Sequence, residues 1–176
     1  MNLKDLKTFT GNIYVKENLD LVDTSTPLED FIGTDTVIEI FGDVFVDGYL
    51  SGSEIIIHGN LECTELYCNS ITVDGDIYVA NHATVIDSMS SNNGNIHLGA
   101  IDTGNLIAYE GSVLVEKDLE APCVKAFDSI YVGGNFTEVK KIIAGSTVTI
   151  NGYVVTVGGI FIDIQVLSGG FKKDCN

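Results

Sequence analysis

The sequence has no arginine and no tryptophan, and its 176 residues include only nine lysines, four cysteines and two prolines. Neutralising phosphates of nucleic acids requires clustered Lys and Arg, and binding to anionic membranes requires the same. Four cysteines are too few for a disulfide scaffold of this size. No stretch approaches 18 consecutive apolar residues, and residues 1–10 lack the apolar core of an export signal. We therefore expect a cytoplasmic protein with no nucleic-acid or membrane partner.

Acidic residues dominate the charge. There are 25 Asp and Glu, for a net charge of -16, and the 100 residues between Lys16 and Lys117 contain 18 acidic side chains and no lysine. Such a surface either keeps an apolar protein soluble or attracts a basic partner. For the second interpretation, the candidate contacts are the outward acidic residues Asp47, Glu54, Glu62, Glu65 and Asp87.

A seven-residue pattern recurs along the chain: apolar, any, apolar, any, Gly, Asp or Asn, apolar. Clear copies occur at residues 38–44, 55–61, 71–77 and 130–136. A repeat of this size cannot bury its own apolar face, so its copies must stack. The closing apolar residues are separated by steps of 17, 16, 19, 23, 17 and 18 residues. These residues are Val44, Leu61, Ile77, Ile96, Leu119, Phe136 and Val154.

Within each unit the apolar residues recur every five or six positions, and each is flanked by the period-two alternation of a strand. Three short strands with bends between them describe a coil with three flat sides. We therefore predict an all-β fold, a right-handed three-sided parallel β-helix (β-solenoid) of about eight coils. The chain forms one domain over residues 1–176, with an N-terminal cap and first coils at 1–37, regular coils at 38–167 and a polar tail at 168–176.

Glycines mark one recurring bend, where we expect positive φ. They are Gly42, Gly59, Gly75, Gly94, Gly134 and Gly152. The residues that follow the first four are Asp43, Asn60, Asp76 and Asn95, and stacking would place them in a ladder whose alternation keeps carboxylates apart. The 23-residue step before Leu119 predicts an extra side or a surface loop at residues 103–110.

The N-terminal region offers candidates for a cap. Ile13 and Val44 are 31 residues apart, room for two coils or for one coil and a cap. Residues 26–29 (TPLE) fit a capping box with Pro at the first helical position, so we predict a short helix there or at residues 3–9. A docking arm is the alternative for these segments.

The sequence gives no signal for catalysis, a cofactor or a metal. Cys63 and Cys68 fall at inward positions and are expected to be buried, and they lack the second pair of a zinc site. His58, His82 and His97 occupy unrelated phases of the repeat, so we expect outward side chains that no neighbour orients as a base. We predict that the protein is not an enzyme.

Three turns, at residues 41–44 (FGDV), 58–61 (HGNL) and 74–77 (DGDI), resemble those of the bactofilins, bacterial cytoskeletal proteins that polymerise. This resemblance implies a right-handed parallel β-helix and self-association. It extends in a looser form over most of the repeats.

The open ends of a solenoid expose unpaired strand groups, which must be capped or paired. Residues 160–167 alternate in apolar character, so we predict a self-association edge there, unless the tail with Lys172 and Lys173 guards it. The edge residues are Ile160, Ile162, Ile164 and Val166. The predicted function is a non-enzymatic scaffold that self-associates through a coil end. The alternative is an acidic inhibitor or immunity protein that neutralises a basic, nucleic-acid-directed partner.

Overall fold

The computed structural model describes residues 8–21, 37–156 and 163–166, which contain 17 β-strands and no helix. The strands pair in parallel and stack into a β-solenoid of about 7 turns, which confirms the predicted fold class. Within these ranges no helix is long and apolar enough to span a membrane. The proposed helix at residues 26–29 lies outside the described residues. Of the segment 3–9, Thr8 and Phe9 belong to a strand.

Most coils consist of short strands, but four long strands bend around the corners. The strands are β1 (Thr8–Thr10), β2 (Ile13–Val15), β3 (Leu19–Asp20), β4 (Val37–Phe41), β5 (Val44–Ile57), β6 (Leu61–Val73), β7 (Ile77–Ser91), β8 (Ile96–Ala108), β9 (Val113–Val115), β10 (Leu119–Glu120), β11 (Cys123–Ala126), β12 (Ile130–Val132), β13 (Phe136–Val139), β14 (Lys141–Ala144), β15 (Val148–Ile150), β16 (Val154–Thr156) and β17 (Asp163–Val166). Strands β5 to β8 each contribute to all three sides, and their register shifts fall between the sides.

Each side of the solenoid is defined by a column of inward apolar residues in register. Side 1 contains Ile13, Val44, Leu61, Ile77, Ile96, Val113, Ile130 and Val148. Side 2 contains Leu19, Leu50, Leu66, Ala83, Ile101, Leu119, Phe136 and Val154. Side 3 contains Ile38, Ile55, Ile71, Met89, Leu106, Val124, Ile142 and Ile164.

The three columns meet in one continuous apolar core. Leu50, Ile55 and Leu66 are fully buried, and so are nearly all inward residues of the middle coils. Alternation along each strand produces this result, because successive side chains point to opposite faces. In β6, for example, Leu61 and Cys63 are buried while Glu62 between them is exposed.

The predicted 23-residue step is wrong. Ile96 pairs with Val113, whereas Leu119 lies on side 2 and pairs with Ile101. The steps along side 1 are therefore 17, 16, 19, 17, 17 and 18 residues. Residues 103–110 begin within β8 and form no extra side or loop. The error arose because Gly followed by Asp or Asn occurs at two corners of the coil, before side 1 and before side 2.

The corner glycines are required mainly because neighbouring coils approach closely. Among the described glycines only Gly11 and Gly42 have positive φ, so the expectation of positive φ at every bend is wrong. At Gly59 an added Cβ would lie 2.5 Å from the carbonyl oxygen of Gly42 and 2.6 Å from its carbonyl carbon. These atoms belong to the backbone of the previous coil and have little freedom to move away.

The predicted ladder of Asp and Asn is present at the corner before side 1. Each side-chain oxygen accepts a hydrogen bond from the backbone N–H of its counterpart in the next coil. The donor–acceptor distances are 2.8 Å from Asn60 N to Asp43, 2.9 Å from Asp76 N to Asn60 and 2.7 Å from Asn95 N to Asp76. The Asn60 amide also donates to Asp43, so the alternation turns repulsion into a hydrogen bond.

We predict that Gly59→Ala lowers the free energy of unfolding by about 1–3 kcal/mol, because the new methyl group presses on the backbone of the previous coil. Urea denaturation followed by circular dichroism measures this change. The control is Gly52→Ala, whose Cβ would meet the flexible end of Ile55. The smaller effect should be that of Gly52→Ala; an equal or larger one would contradict the steric explanation.

Candidate functional site

The C-terminal coil exposes residues that the preceding coils bury. On side 2, Phe136 is fully buried, but Val154, the next residue in the same column, is 38% exposed. On side 1, Val148 and Ile150 are only half-buried, whereas Ile130 and Val132 of the preceding coil are buried. The inward column therefore opens to solvent at this end of the solenoid.

The first described coil at the opposite end differs. Its inward residues Leu19 and Leu21 are 1% and 3% exposed, and Ile13 is 8% exposed. Within the described residues, the apolar core is thus covered at the N-terminal end and uncovered at the C-terminal end.

The predicted self-association edge falls partly within this coil. Ile160 and Ile162 lie outside the described residues. Ile164 and Val166 belong to β17, which pairs in parallel with β14 and aligns them with Ile142 and Ala144. The structure thus places half of the predicted edge in the last strand of side 3.

The five acidic residues predicted as a partner face do not lie on one face. Glu62 is at the centre of side 1, Glu65 pairs with Tyr49 on side 2, and Glu54 pairs with Ser70 at the start of side 3. Asp47 and Asp87 lie at the register shifts that separate the sides. The set is spread around the coil because about five residues cover one side, so residues only three apart can lie on different sides.

The charge is distributed unevenly along the solenoid axis. Residues 37–116 contain 12 acidic side chains and no lysine, a net charge of -12. Residues 117–156 contain four lysines and four acidic residues, a net charge of 0. The coils next to the uncovered end are therefore neutral, while the middle of the molecule is strongly negative.

His58 is held between two carboxylates of neighbouring coils. Its Nδ1 lies 2.8 Å from an oxygen of Asp74, and its Nε2 lies 2.9 Å from an oxygen of Glu39. The ring also stacks on Phe41, with centroids 4.4 Å apart. Hydrogen bonds to Glu39 and Asp74 raise the pKa of His58 above its usual value.

The other histidines have simpler surroundings. His97 pairs with Glu116 at 2.9 Å and packs edge-on against Tyr78, while His82 is exposed on side 2. The expectation that the histidines point outward is confirmed, but the expectation that none has an orienting neighbour is wrong for His58 and His97. Because carboxylates occupy both nitrogens of His58, the ring acts as a structural cation between coils.

The cysteines are buried as predicted. Burial raises the pKa of the Cys63 thiol to about 12 and also raises the pKa of Cys68, so both thiols stay protonated and unreactive. No group of three or more His, Cys, Asp or Glu side chains in the described ranges could hold a metal ion.

We predict that His58→Gln destabilises the protein more at pH 5.5 than at pH 8.5. The pKa is raised in the folded state, so the stabilisation is fully present below the unfolded value of about 6.5 and is lost as pH rises through the folded pKa. Thermal unfolding of the wild type and the variant at both pH values measures this difference. His82→Gln, the control, should show no such dependence; a pH-independent effect of His58→Gln would contradict the electrostatic explanation.

Comparison of the chain with protein-family models, with curated proteins and with solved structures gave no match. The resemblance to bactofilins therefore stays a prediction from the turn sequences, and the function has to be inferred from the residues themselves.

Proposed function

We propose that this protein is a non-enzymatic structural β-solenoid of the cytoplasm that self-associates through its C-terminal coil end, as bactofilin-like turns would imply. The observation that carries the proposal is the exposure of Val154, a residue of the inward core column, at 38%. A second molecule stacked on this end would bury Val154 together with Ile150 and Val148, as every earlier coil is buried by its successor.

Backbone pairing supports the same surface. Within the described residues, β15 pairs with β12, β16 with β13 and β17 with β14, so each strand of the last coil pairs with one neighbour on its N-terminal side. The opposite edges of these strands have the donors and acceptors that strand addition uses. Ile164 and Val166 lie on this edge on side 3.

The charge distribution removes the main obstacle to self-association. Two molecules with a net charge of -16 repel each other, but the repulsion between exposed charges falls off within about 8 Å at physiological salt. Because residues 117–156 are neutral, contact through the C-terminal end keeps the acidic coils of the two molecules apart.

A second candidate function is the binding of a basic partner protein. It is favoured by the absence of lysine from residues 17–116, since a ligand rich in Lys or Arg would meet no repulsion there. The scattered set of five acidic residues does not form its surface, so a different face must do so.

We predict that the wild type shows a weight-average mass that rises with protein concentration in light scattering. Val154→Lys should weaken this association at least about tenfold, because a charge replaces an apolar contact in the buried interface. Ile164→Lys tests the strand edge of side 3 in the same way.

The matched control is Ile86→Lys, which changes an isoleucine that is 57% exposed in the middle of the solenoid. It should associate like the wild type. Circular dichroism must show that all three variants remain folded. A wild type that stays monomeric up to near-millimolar concentration, or equal effects of Val154→Lys and Ile86→Lys, would overturn the proposal.

A further inference from the structure

The outward face of side 1 carries a column of aromatic rings in register. Strand pairing aligns one outward residue from each coil: Tyr14, Phe45, Glu62, Tyr78, His97, Leu114, Tyr131 and Thr149. Five of these eight side chains are rings. Outward positions of a solvated sheet are usually polar, so this column is unusual.

Several of the rings are accessible. Tyr14 is 70% exposed, Tyr78 is 39% exposed and Tyr131 is 38% exposed. Tyr14 stacks on Phe45 with centroids 5.0 Å apart, which holds both rings upright on the sheet. Glu62, which is exposed, lies between Phe45 and Tyr78 in the column, so its carboxylate is flanked by rings on both sides.

Carboxylates line one edge of the same face. Asp43 and Asp76 belong to the corner ladder immediately before side 1, two residues before Phe45 and Tyr78. The nearest lysines in sequence are Lys16 and Lys117. Side 1 between them thus combines exposed rings with carboxylates and has no lysine on its central coils.

We propose that side 1 binds an extended, Lys- or Arg-rich segment of a partner protein, an inference that rests on the second candidate function. Aromatic rings attract cations over their faces, and carboxylates accept charge-assisted hydrogen bonds from ammonium and guanidinium groups. From Tyr14 to Tyr131 the column spans six coil steps, about 29 Å at about 4.8 Å a step. An extended segment of about nine residues covers that length.

The test compares the affinity of three proteins for a fluorescent deca-lysine peptide by fluorescence anisotropy. The first is the wild type, and the second carries Asp43→Asn, Glu62→Gln and Asp76→Asn on side 1. Asn60 and Asn95 already fill the same positions of the ladder, so these changes retain its hydrogen bonds.

The third protein is a control with Glu54→Gln, Glu65→Gln and Asp102→Asn, which removes three charges from sides 2 and 3. Both variants have a net charge of -16 + 3 = -13, so they differ only in the location of the neutralised carboxylates. The side 1 variant should bind at least about tenfold more weakly than the control, and Tyr78→Ser should weaken binding more than Tyr67→Ser on side 2.

The outcomes separate the face from the function. If the wild type bound deca-lysine no better than deca-serine, the binding of a basic partner itself would be refuted. If it bound deca-lysine but both triple variants lost affinity equally, attraction by net charge alone would explain the result and the assignment to side 1 would be wrong.

Discussion

The fold depends on the close approach of successive coils at their corners. At Gly59 the previous coil leaves no room for a Cβ, and the backbone N–H groups there turn away from the strand ladder. Buried or crowded N–H groups that lose their partners destabilise a fold, and here the side chain of the preceding coil accepts them. Asp43, Asn60 and Asp76 satisfy the corner while the apolar columns satisfy the sides. Neither could work in a coil of a different height.

Much of this arrangement could be predicted because the side-chain period of a strand is two and the spacing of the sides is nearly constant. The inward positions of Leu66 and Ile71 follow from these regularities alone. The register around Leu119 did not, since the turn before side 2 uses the same Gly-Asp and Gly-Asn pairs as the turn before side 1. Local sequence specifies a bend, but only the pairing of neighbouring coils shows which of the three bends it is.

The functional surfaces were harder to predict because they consist of residues distant in sequence. Glu39, His58 and Asp74 are separated by 19 and 16 residues, so their contact appears only when the register is known. The ring column of side 1 is hidden for the same reason, with one member in each coil. The opening of the core at Val154 depends on which coil is last in the described stack. The acidic composition, by contrast, was plain from the sequence, but not its unequal division along the axis.

The corner ladder is directional and links each coil only to its neighbours, which makes the molecule modular in units of one turn. Removing residues 61–76 would join Asn60 to Ile77, and Ile77 could then take the place of Leu61 beside Val44. Asn60 would present its amide oxygen to Asn95 as Asp76 does now. The length of such a rod can therefore change by whole turns through duplication or excision of gene segments, without any redesign of its cross-section.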